Sequence, residues 1–509
     1  MSLWKDASDW IEEAARLPHR LFLRTPAGRE IGYGELLEQS GRIASALTAR
    51  GVLPGDRVAA QVDKSPEAVL LYVACIRMGA VFVPINVANT SNEVEYFLRD
   101  SQPRVIVVRP SEFNAVEPLA KQAGVMHVET LGTDEEGSLT ELAGKCEADF
   151  HYVKRDSNSI AAIVYTSGTT GRSKGAMLTR ANLASNALAL AEAWRFSEKD
   201  VLLHALPLFH IHGLFVAINT VMASGSSLLL LPKFDASEVL ARLRDATVYM
   251  GVPTHYTRLL QQVDLNREST KTIRVFISGS APLLPETHSA FRQRTGHVIL
   301  ERYGMTETLI NTSNPYEGPR LPGSVGPSLK GTQIRVNHAE SGALENPRDD
   351  FGILEVKGPN VFAGYWGDAE KTRSEFTSDA WFKTGDVGRI DRDGYVHIVS
   401  RAKDLVISGG YNVYPLEVES ELDALPGVQE SAVFGVPHPD LGEGVTAAIV
   451  AEAGAVLSER GILEAVRTRL ARYKVPKRIL LVEELPRNTM GKVQKNALRK
   501  AFATIYSAN

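Results

Sequence analysis

Residues 165–175 read Tyr165-Thr166-Ser167-Gly168-Thr169-Thr170-Gly171-Arg172-Ser173-Lys174-Gly175. The stretch follows an apolar run, Ser159–Tyr165, whose composition predicts a buried strand. A polar segment then leads to a helical pattern over Arg180–Trp194. Glycine lets a backbone approach a ligand closely and take unusual φ values. Hydroxyls and free N–H groups can wrap an anion, and Arg172 and Lys174 add charge. A bare Gly/Ser/Thr surface loop is the other reading. The combination of hydroxyls, glycines and cations directly after a buried strand favours phosphate. It is not the pattern of P-loop NTPases, because Gly171 is followed by Arg-Ser-Lys and not by Lys-Ser/Thr.

Outward from this loop, strand and helix patterns alternate. Helices are expected at Tyr33–Ala49 and Ser65–Met78, and strands at Arg57–Val62, Ala80–Ile85, Val105–Val108, Val201–Leu206, Ser227–Leu231 and Arg274–Ile277. Such alternation predicts α/β layers with parallel sheet. From about Gly323 short strand patterns (Gln333–Val336, Ile353–Val356, Gly388–Ile390, Tyr395–Val399) are separated by Gly, Asp and Pro turns. They predict a β-rich subdomain over about 323–400, in the form of a distorted barrel. Beyond Arg401 come a helix at Pro415–Leu425, a strand at Val428–Val436, a helix at Gly461–Leu470 and a strand at Arg478–Val482. The expected division is a large N-terminal domain, 1–402, and a small mobile C-terminal α+β domain, 403–509.

A chain of 509 residues is too long for one core. Its formal net charge of −4 gives no global field for nucleic acid or anionic membrane, so neither is an expected partner. Positive charge for an anionic substrate must therefore be local. Two cysteines, Cys75 and Cys146, make neither a disulfide scaffold nor a zinc site, and a reducing cytoplasm is the natural location. Met1–Leu17 lacks the apolar core of a signal peptide, and no run reaches the roughly 18 apolar residues that span a bilayer.

The loop resembles the phosphate loop of the acyl-adenylate-forming superfamily, which includes acyl- and aryl-CoA synthetases, luciferases and peptide-synthetase adenylation domains. Further motifs of that superfamily follow in order along nearly the whole chain. The resemblance implies an ATP-dependent ligase that forms an acyl-AMP and passes the acyl group to CoA, with Mg²⁺ as cofactor. It implies that Thr166, Ser167, Gly168, Thr169, Thr170, Gly171 and Lys174 hold phosphates. Glu301-Arg302-Tyr303-Gly304-Met305-Thr306-Glu307 resembles the aromatic-Gly-x-Thr-Glu motif. Tyr303 would stack on adenine, with Glu301, Gly304 and Met305 also at the nucleotide. Thr306 would contact the α-phosphate, and Glu307, with Thr166, would hold the metal. Ser280, Ala281 and Pro282 match the adenine-pocket segment. Asp386, in Lys383-Thr384-Gly385-Asp386, would accept from the ribose hydroxyls, with Arg401 beside it. Lys403 sits where the family has its hinge, and Ser408-Gly409-Gly410-Tyr411 where it lines the CoA tunnel. Pro486-Arg487-Asn488-Thr489-Met490-Gly491-Lys492 matches the C-terminal lysine loop, so Lys492 would bridge the substrate carboxylate and the α-phosphate. In several relatives this lysine is acylated, so a regulatory acyltransferase and deacylase are possible partners here.

His210, in Pro207-Leu208-Phe209-His210-Ile211-His212-Gly213, stands at the mouth of the acyl pocket in the family; a satisfied structural histidine is the alternative. Arg302 narrows the acid. Many relatives have a small residue there, facing the acyl group. A buried guanidinium without a partner costs several kcal/mol, roughly, and adjacent Glu301 points to the other face of an extended segment. A second carboxylate on the substrate fits, held bidentately with Ser278 assisting. Glu301–Thr308 with Asn311-Thr312-Ser313 resembles malonyl-CoA synthetases, which implies malonate, with methylmalonate as a weaker substrate. Other readings are a CoA ligase for oxalate, a medium-chain or an aryl acid, a carrier-dependent adenylation domain, and a non-catalytic nucleotide-binding relative.

Overall fold

The computed structural model describes residues 17–166, 173–338, 351–409, 411–470, 472–488 and 491–506, without the side chains of Lys403 and Asn412. Two sheets build the large N-terminal part. In the seven-stranded sheet, parallel strands Val81–Pro84, Arg57–Gln61, Val105–Val108 and His127–Thr130 continue from strand β1 (Ile160–Thr166). Strand β2 (Lys174–Thr179) pairs antiparallel with β1, Thr166 opposite Lys174. The polar stretch Lys174–Thr179 is thus a strand, paired with the apolar strand that precedes residues 167–172. Alternating Lys174, Ala176 and Leu178 can satisfy a half-buried strand even though two glycine-like breaks, Gly171 and Gly175, obscure the period.

Helix α1 (Arg180–Ala193) follows at once. Thr179 caps it by accepting from the Asn182 N–H at 3.0 Å. In the eight-stranded sheet, Ser227–Leu230, Val201–His204, Val248–Gly251, β3 (Val275–Ser278) and β4 (Leu300–Met305) are parallel. β5 (Leu309–Ser313) returns antiparallel to β4 as a tight hairpin. Runs such as Val-Phe-Ile-Ser carry no alternation because both faces are covered. One core joins the sheets: it holds Val58 and Phe82 from the first, Leu202, Ile277 and Leu300 from the second, and Tyr72 and Val73 of helix Pro66–Met78. That helix is set by its ends, a Ser65 hydroxyl accepting from the Ala68 N–H at 3.2 Å and Gly79 at φ +74°.

The β-rich segment is not a barrel. Among the described residues Gln333–Asn337, Gly352–Lys357, Phe382–Ile390 and Val396–Arg401 form one open antiparallel sheet. Among the described residues its outer strands have a strand neighbour on one side only, so the sheet does not close. The small C-terminal domain is α+β. Its central strand, Gly442–Ala451, pairs with Val428–His438, Arg478–Leu481 and Val406–Ser408. Helices Pro415–Asp423 and Glu459–Arg467 cover one face and Lys495–Ala501 the other. Strand Gly442–Ala451 went unread in the sequence because glycine and alanine dilute its β-branched residues. No helix of the described residues is long and apolar enough to cross a membrane.

Candidate active site

Ligands of open α/β sheets sit at the carboxyl ends of the strands, and the motif residues gather there. The turn Thr306–Thr308 joins β4 to β5. Distant amides pin it and the start of β5: Asn360 donates to the Thr308 carbonyl at 2.7 Å, and Asn186 of α1 donates to the Ile310 carbonyl at 2.8 Å. The Phe362 N–H donates to the Glu307 carbonyl at 2.8 Å. Gly304 admits no side chain, because a Cβ would lie 1.9 Å from the Leu309 carbonyl oxygen. Gly304→Ala is expected to open the hairpin and cost at least a few kcal/mol, roughly. Urea titration checks this; a midpoint equal to that of the parent would contradict it.

Glu307 is buried and accepts from the Tyr365 hydroxyl at 3.0 Å. Burial raises its carboxyl above the ordinary range. Tyr365 pairs with β2, and the Lys174 ammonium lies 5.5 Å from its ring. Thr166 and Lys174 therefore share an edge with Glu307, while Ser167, Gly168, Thr169, Thr170 and Gly171 lie outside the described residues. Thr306 is half-buried in the turn.

Tyr303 donates to Asp386 at 2.5 Å, and Arg401 Nε meets the other Asp386 oxygen at 2.6 Å. Strand pairing sets this, with Asp386 opposite Arg401. Each carboxylate oxygen still has accepting capacity for a ribose hydroxyl. The Arg401 charge also acts on Glu307, so the Tyr303, Asp386 and Glu307 groups form one constellation.

Arg302 is 3% exposed, and its Nε and Nη2 have no hydrogen-bond partner among the described residues. It forms no ion pair with Glu301 among the described residues. Burial holds the guanidinium down at about 9, which still leaves it charged at neutral pH. The guanidinium lies against Gly279, where a Cβ would be 2.5 Å from Arg302 Cζ. The Ser278 hydroxyl is buried and unpartnered as well. His210 is held down to about 4 by burial and then by the Arg302 charge. His212 is lowered by the same two causes, Nδ1 lies 3.2 Å from Ser280 Oγ, and Nε2 has no partner. Both rings are neutral, so Arg302 is the positive charge of this pocket. Ser280 takes φ +73°, a left-handed conformation that costs on the order of 1–3 kcal/mol in a non-glycine residue. Ala281 and Pro282 continue the same segment.

Glu301 faces away from Arg302. It accepts from the Leu283 N–H at 3.2 Å and its Oε2 has no partner. The carboxyl thus braces the segment Ser280–Leu283, and burial pushes it up to about 8. The folded value lies above the unfolded one, so ionising Glu301 costs stability increasingly as pH rises from about 4.5 to about 8. Glu301→Gln removes that cost. Its Tm advantage over the parent should grow between pH 5 and pH 8, and a gap that does not change with pH would contradict this.

The lysine loop of the C-terminal domain closes over a neighbouring cleft of about 300 Å³, lined by Leu206, Phe234, Thr254 and Arg258 on one side and by Arg487, Asn488 and Gly491 on the other. Gly491, at φ +74°, packs against Thr254. The Asn488 side-chain oxygen accepts from the Lys492 N–H at 2.9 Å, which turns the chain so that exposed Lys492 follows the contact. Lys403 lies in the short 3₁₀ turn Ala402–Asp404. Ser408, Gly409 and Tyr411 stand on the hairpin Val406–Val413 and do not line the cleft; Gly410 lies outside the described residues.

Sequence reasoning passed over Tyr365, Gly279, Asn186 and Asn360 as individual residues. A signal existed for α1, where Asn182 and Asn186 stand four apart in a helix of alanine and leucine. Amides buried on one helix face need partners.

Residues 10–366 match the family described as AMP-binding enzyme, and residues 417–492 match the AMP-binding enzyme C-terminal domain. The mitochondrial malonate–CoA ligase of Mus musculus is 36% identical, with 92% of this chain and 86% of that protein covered. A feruloyl-CoA synthase of Amycolatopsis is 34% identical over 97% of this chain and 98% of its own. The ATP-bound structure of MatB from Rhodopseudomonas palustris is 52% identical, covers 99% of this chain and 100% of its own, and superposes with a TM-score of 0.95. The apo form of MatB, at 53% identity and 99% and 100% coverage, gives 0.84. With its two-part fold and its constellation at the strand ends, the chain belongs to the family of AMP-binding enzymes.

Proposed function

We propose that the chain is an AMP-forming ligase that converts malonate, ATP and CoA into malonyl-CoA, AMP and pyrophosphate through malonyl-AMP. The buried Arg302 guanidinium, whose Nε and Nη2 have no hydrogen-bond partner among the described residues, carries the choice of acid. A monocarboxylic or aryl acid would leave it uncompensated, whereas the distal carboxylate of malonate neutralises it with help from Ser278 and a neutral His210. The overall likeness to a feruloyl-CoA synthase, nearly equal to that of the malonate ligase, leaves the pocket as the discriminating feature.

In the first half-reaction, residues 167–171, Thr166 and Lys174 hold the triphosphate, Tyr303, Ser280, Ala281, Pro282, Glu301, Gly304 and Met305 surround adenine, and Asp386 and Arg401 hold the ribose. Thr306 donates to the α-phosphate. No cluster of three acidic, histidine or cysteine ligands exists among the described residues. A magnesium ion would therefore take Glu307, Thr166 and mostly phosphate oxygens, as a hard cation does, and would offset charge on the leaving pyrophosphate. Lys492 bridges the attacking carboxylate and the α-phosphate. The lysine loop packed on Thr254, and the better superposition on the ATP-bound relative, support assigning this arrangement to adenylation. Rotation about Lys403, between domains 1–402 and 403–509, then brings Ser408–Tyr411 to the adenylate for the thioester step. Acylation of Lys492 by a regulatory enzyme would stop the first half-reaction alone.

Acid-dependent exchange of pyrophosphate into ATP, run over mono- and dicarboxylic acids of two to eight carbons, tests the reading. Malonate should give the highest rate, methylmalonate a lower one. Butyrate or benzoate exchanging faster than malonate would overturn it.

A further inference from the structure

Four polar atoms of the Arg302 pocket are buried without a hydrogen-bond partner among the described residues: Arg302 Nε and Nη2, the Ser278 hydroxyl and His212 Nε2. One short segment gathers them. Ser278 ends β3 and pairs with Glu301, the residue before Arg302. The guanidinium lies against Gly279, and the Ser280 Oγ meets His212 Nδ1 at 3.2 Å. When the Ser280 hydroxyl donates to Nδ1, a neutral His212 carries its proton on Nε2 and is a donor there. All four atoms then donate. A carboxylate has about four lone-pair sites and no proton to offer, so one carboxylate takes the whole set.

Choosing a dicarboxylic acid needs only the paired donors of the guanidinium. Malonyl-AMP sets a harder condition, because its free carboxylate stands β to an activated carbonyl. The bond between that carboxylate and the methylene can break. CO₂ leaves, and the electron pair passes through the methylene to the carbonyl oxygen as an enolate. A proton from water on the methylene carbon then gives acetyl-AMP, so malonyl-AMP and one proton become CO₂ and acetyl-AMP. Burial removes the water that would hold charge on the carboxylate, and fixed protein donors must replace it. On the proposed reading Lys492 stands at the reacting carboxyl, where it would favour the enolate too. Donors on the free carboxylate act the other way. Negative charge leaves that group as CO₂ forms, so their hold is stronger in the ground state than in the transition state and raises the barrier. Given the reading that malonate is the acid, we propose that Arg302, Ser278 and His212 guard the malonyl adenylate against decarboxylation, with Ser280 as a positioning residue that acts through His212. The pocket then keeps the second carboxylate on the product as well as selecting the acid that carries it.

The test feeds malonate carrying carbon-13 in its methylene, with ATP, magnesium and CoA, to the parent, Ser278→Ala, His212→Leu, His212→Gln and Arg302→Met, and weighs the thioesters early in the reaction. Labelled acetyl-CoA counts carboxylates lost and labelled malonyl-CoA counts those kept. Malonyl-CoA incubated with each protein without ATP gives the loss from the finished thioester, which is subtracted. The parent should make mainly malonyl-CoA. The acetyl-to-malonyl ratio should rise about tenfold in Ser278→Ala and in His212→Leu, the worth of one hydrogen bond to a charged group, and further in Arg302→Met. His212→Gln, which keeps a donor, should fall back toward the parent. Ser278→Ala removes a single oxygen and reads the ratio even where Arg302→Met turns over slowly. A ratio unchanged in every variant, with only KM for malonate raised, would overturn the guard and leave selection alone. Acetyl-CoA as the main product of the parent would overturn it as well. A parent that forms neither thioester from malonate, yet forms butyryl-CoA from butyrate, shows instead that the malonate reading has failed, and the guard falls with it.

Discussion

Lys492→Ala should lower malonate-dependent pyrophosphate exchange by about 10²–10³-fold, the typical loss of one preorganised donor at developing charge. Thermal stability should hardly change, because Lys492 is exposed and its loop is shaped by others. The Asn488 oxygen holds the Lys492 N–H, Gly491 supplies the left-handed turn, and Arg487 donates to the Gly491 carbonyl at 2.5 Å. On the proposed reading the thioester step uses Ser408–Tyr411 and not the lysine loop, so CoA-dependent consumption of supplied malonyl-AMP should stay within a few-fold of the parent. Equal losses in both half-reactions would contradict the assignment of Lys492 to adenylation.

Arg302→Met should lower kcat/KM for malonate by about 10²–10³-fold, since removing one partner of a buried charge pair costs about 2–5 kcal/mol and each 1.36 kcal/mol is about tenfold. Butyrate should lose far less, so the preference between the two acids narrows or inverts. The ligand-free protein should become more stable, because an unpaired buried charge is replaced by an apolar group of similar length. A rise in Tm together with loss of malonate activity separates this from simple misfolding. Arg302→Lys should not restore the parent rate, because an ammonium cannot present the two parallel donors of a guanidinium. A Tm that falls, with malonate and butyrate affected alike, would show that Arg302 is a structural residue.

The strand–helix alternation was legible wherever apolar runs met Gly, Pro or Ser punctuation. Helix Tyr33–Ala49 matches its expected bounds and strand Val105–Val108 does as well. Strand β2 and strand Gly442–Ala451 were hidden by small residues that fit a sheet only through their partners. The expected barrel failed because strand spacing along a chain does not say whether the outer strands meet. Motif residues could be placed because their chemistry is local to short segments. The amides that fix the β4–β5 hairpin could not, because Asn186 reaches Ile310 from 124 residues away and Asn360 reaches Thr308 from 52. Arg302 lay between these cases. Its residue type and position suggested an anionic partner, and the geometry adds that its Nε and Nη2 have no hydrogen-bond partner among the described residues.

The most direct measurement incubates the protein with ATP, magnesium, CoA and an equimolar mixture of malonate, methylmalonate, oxalate, succinate, butyrate and benzoate, then weighs the thioesters by mass spectrometry. The account predicts malonyl-CoA as the main product, less methylmalonyl-CoA, and AMP formed in step with thioester. A dominant thioester of butyrate or benzoate, or ADP in place of AMP, would contradict it.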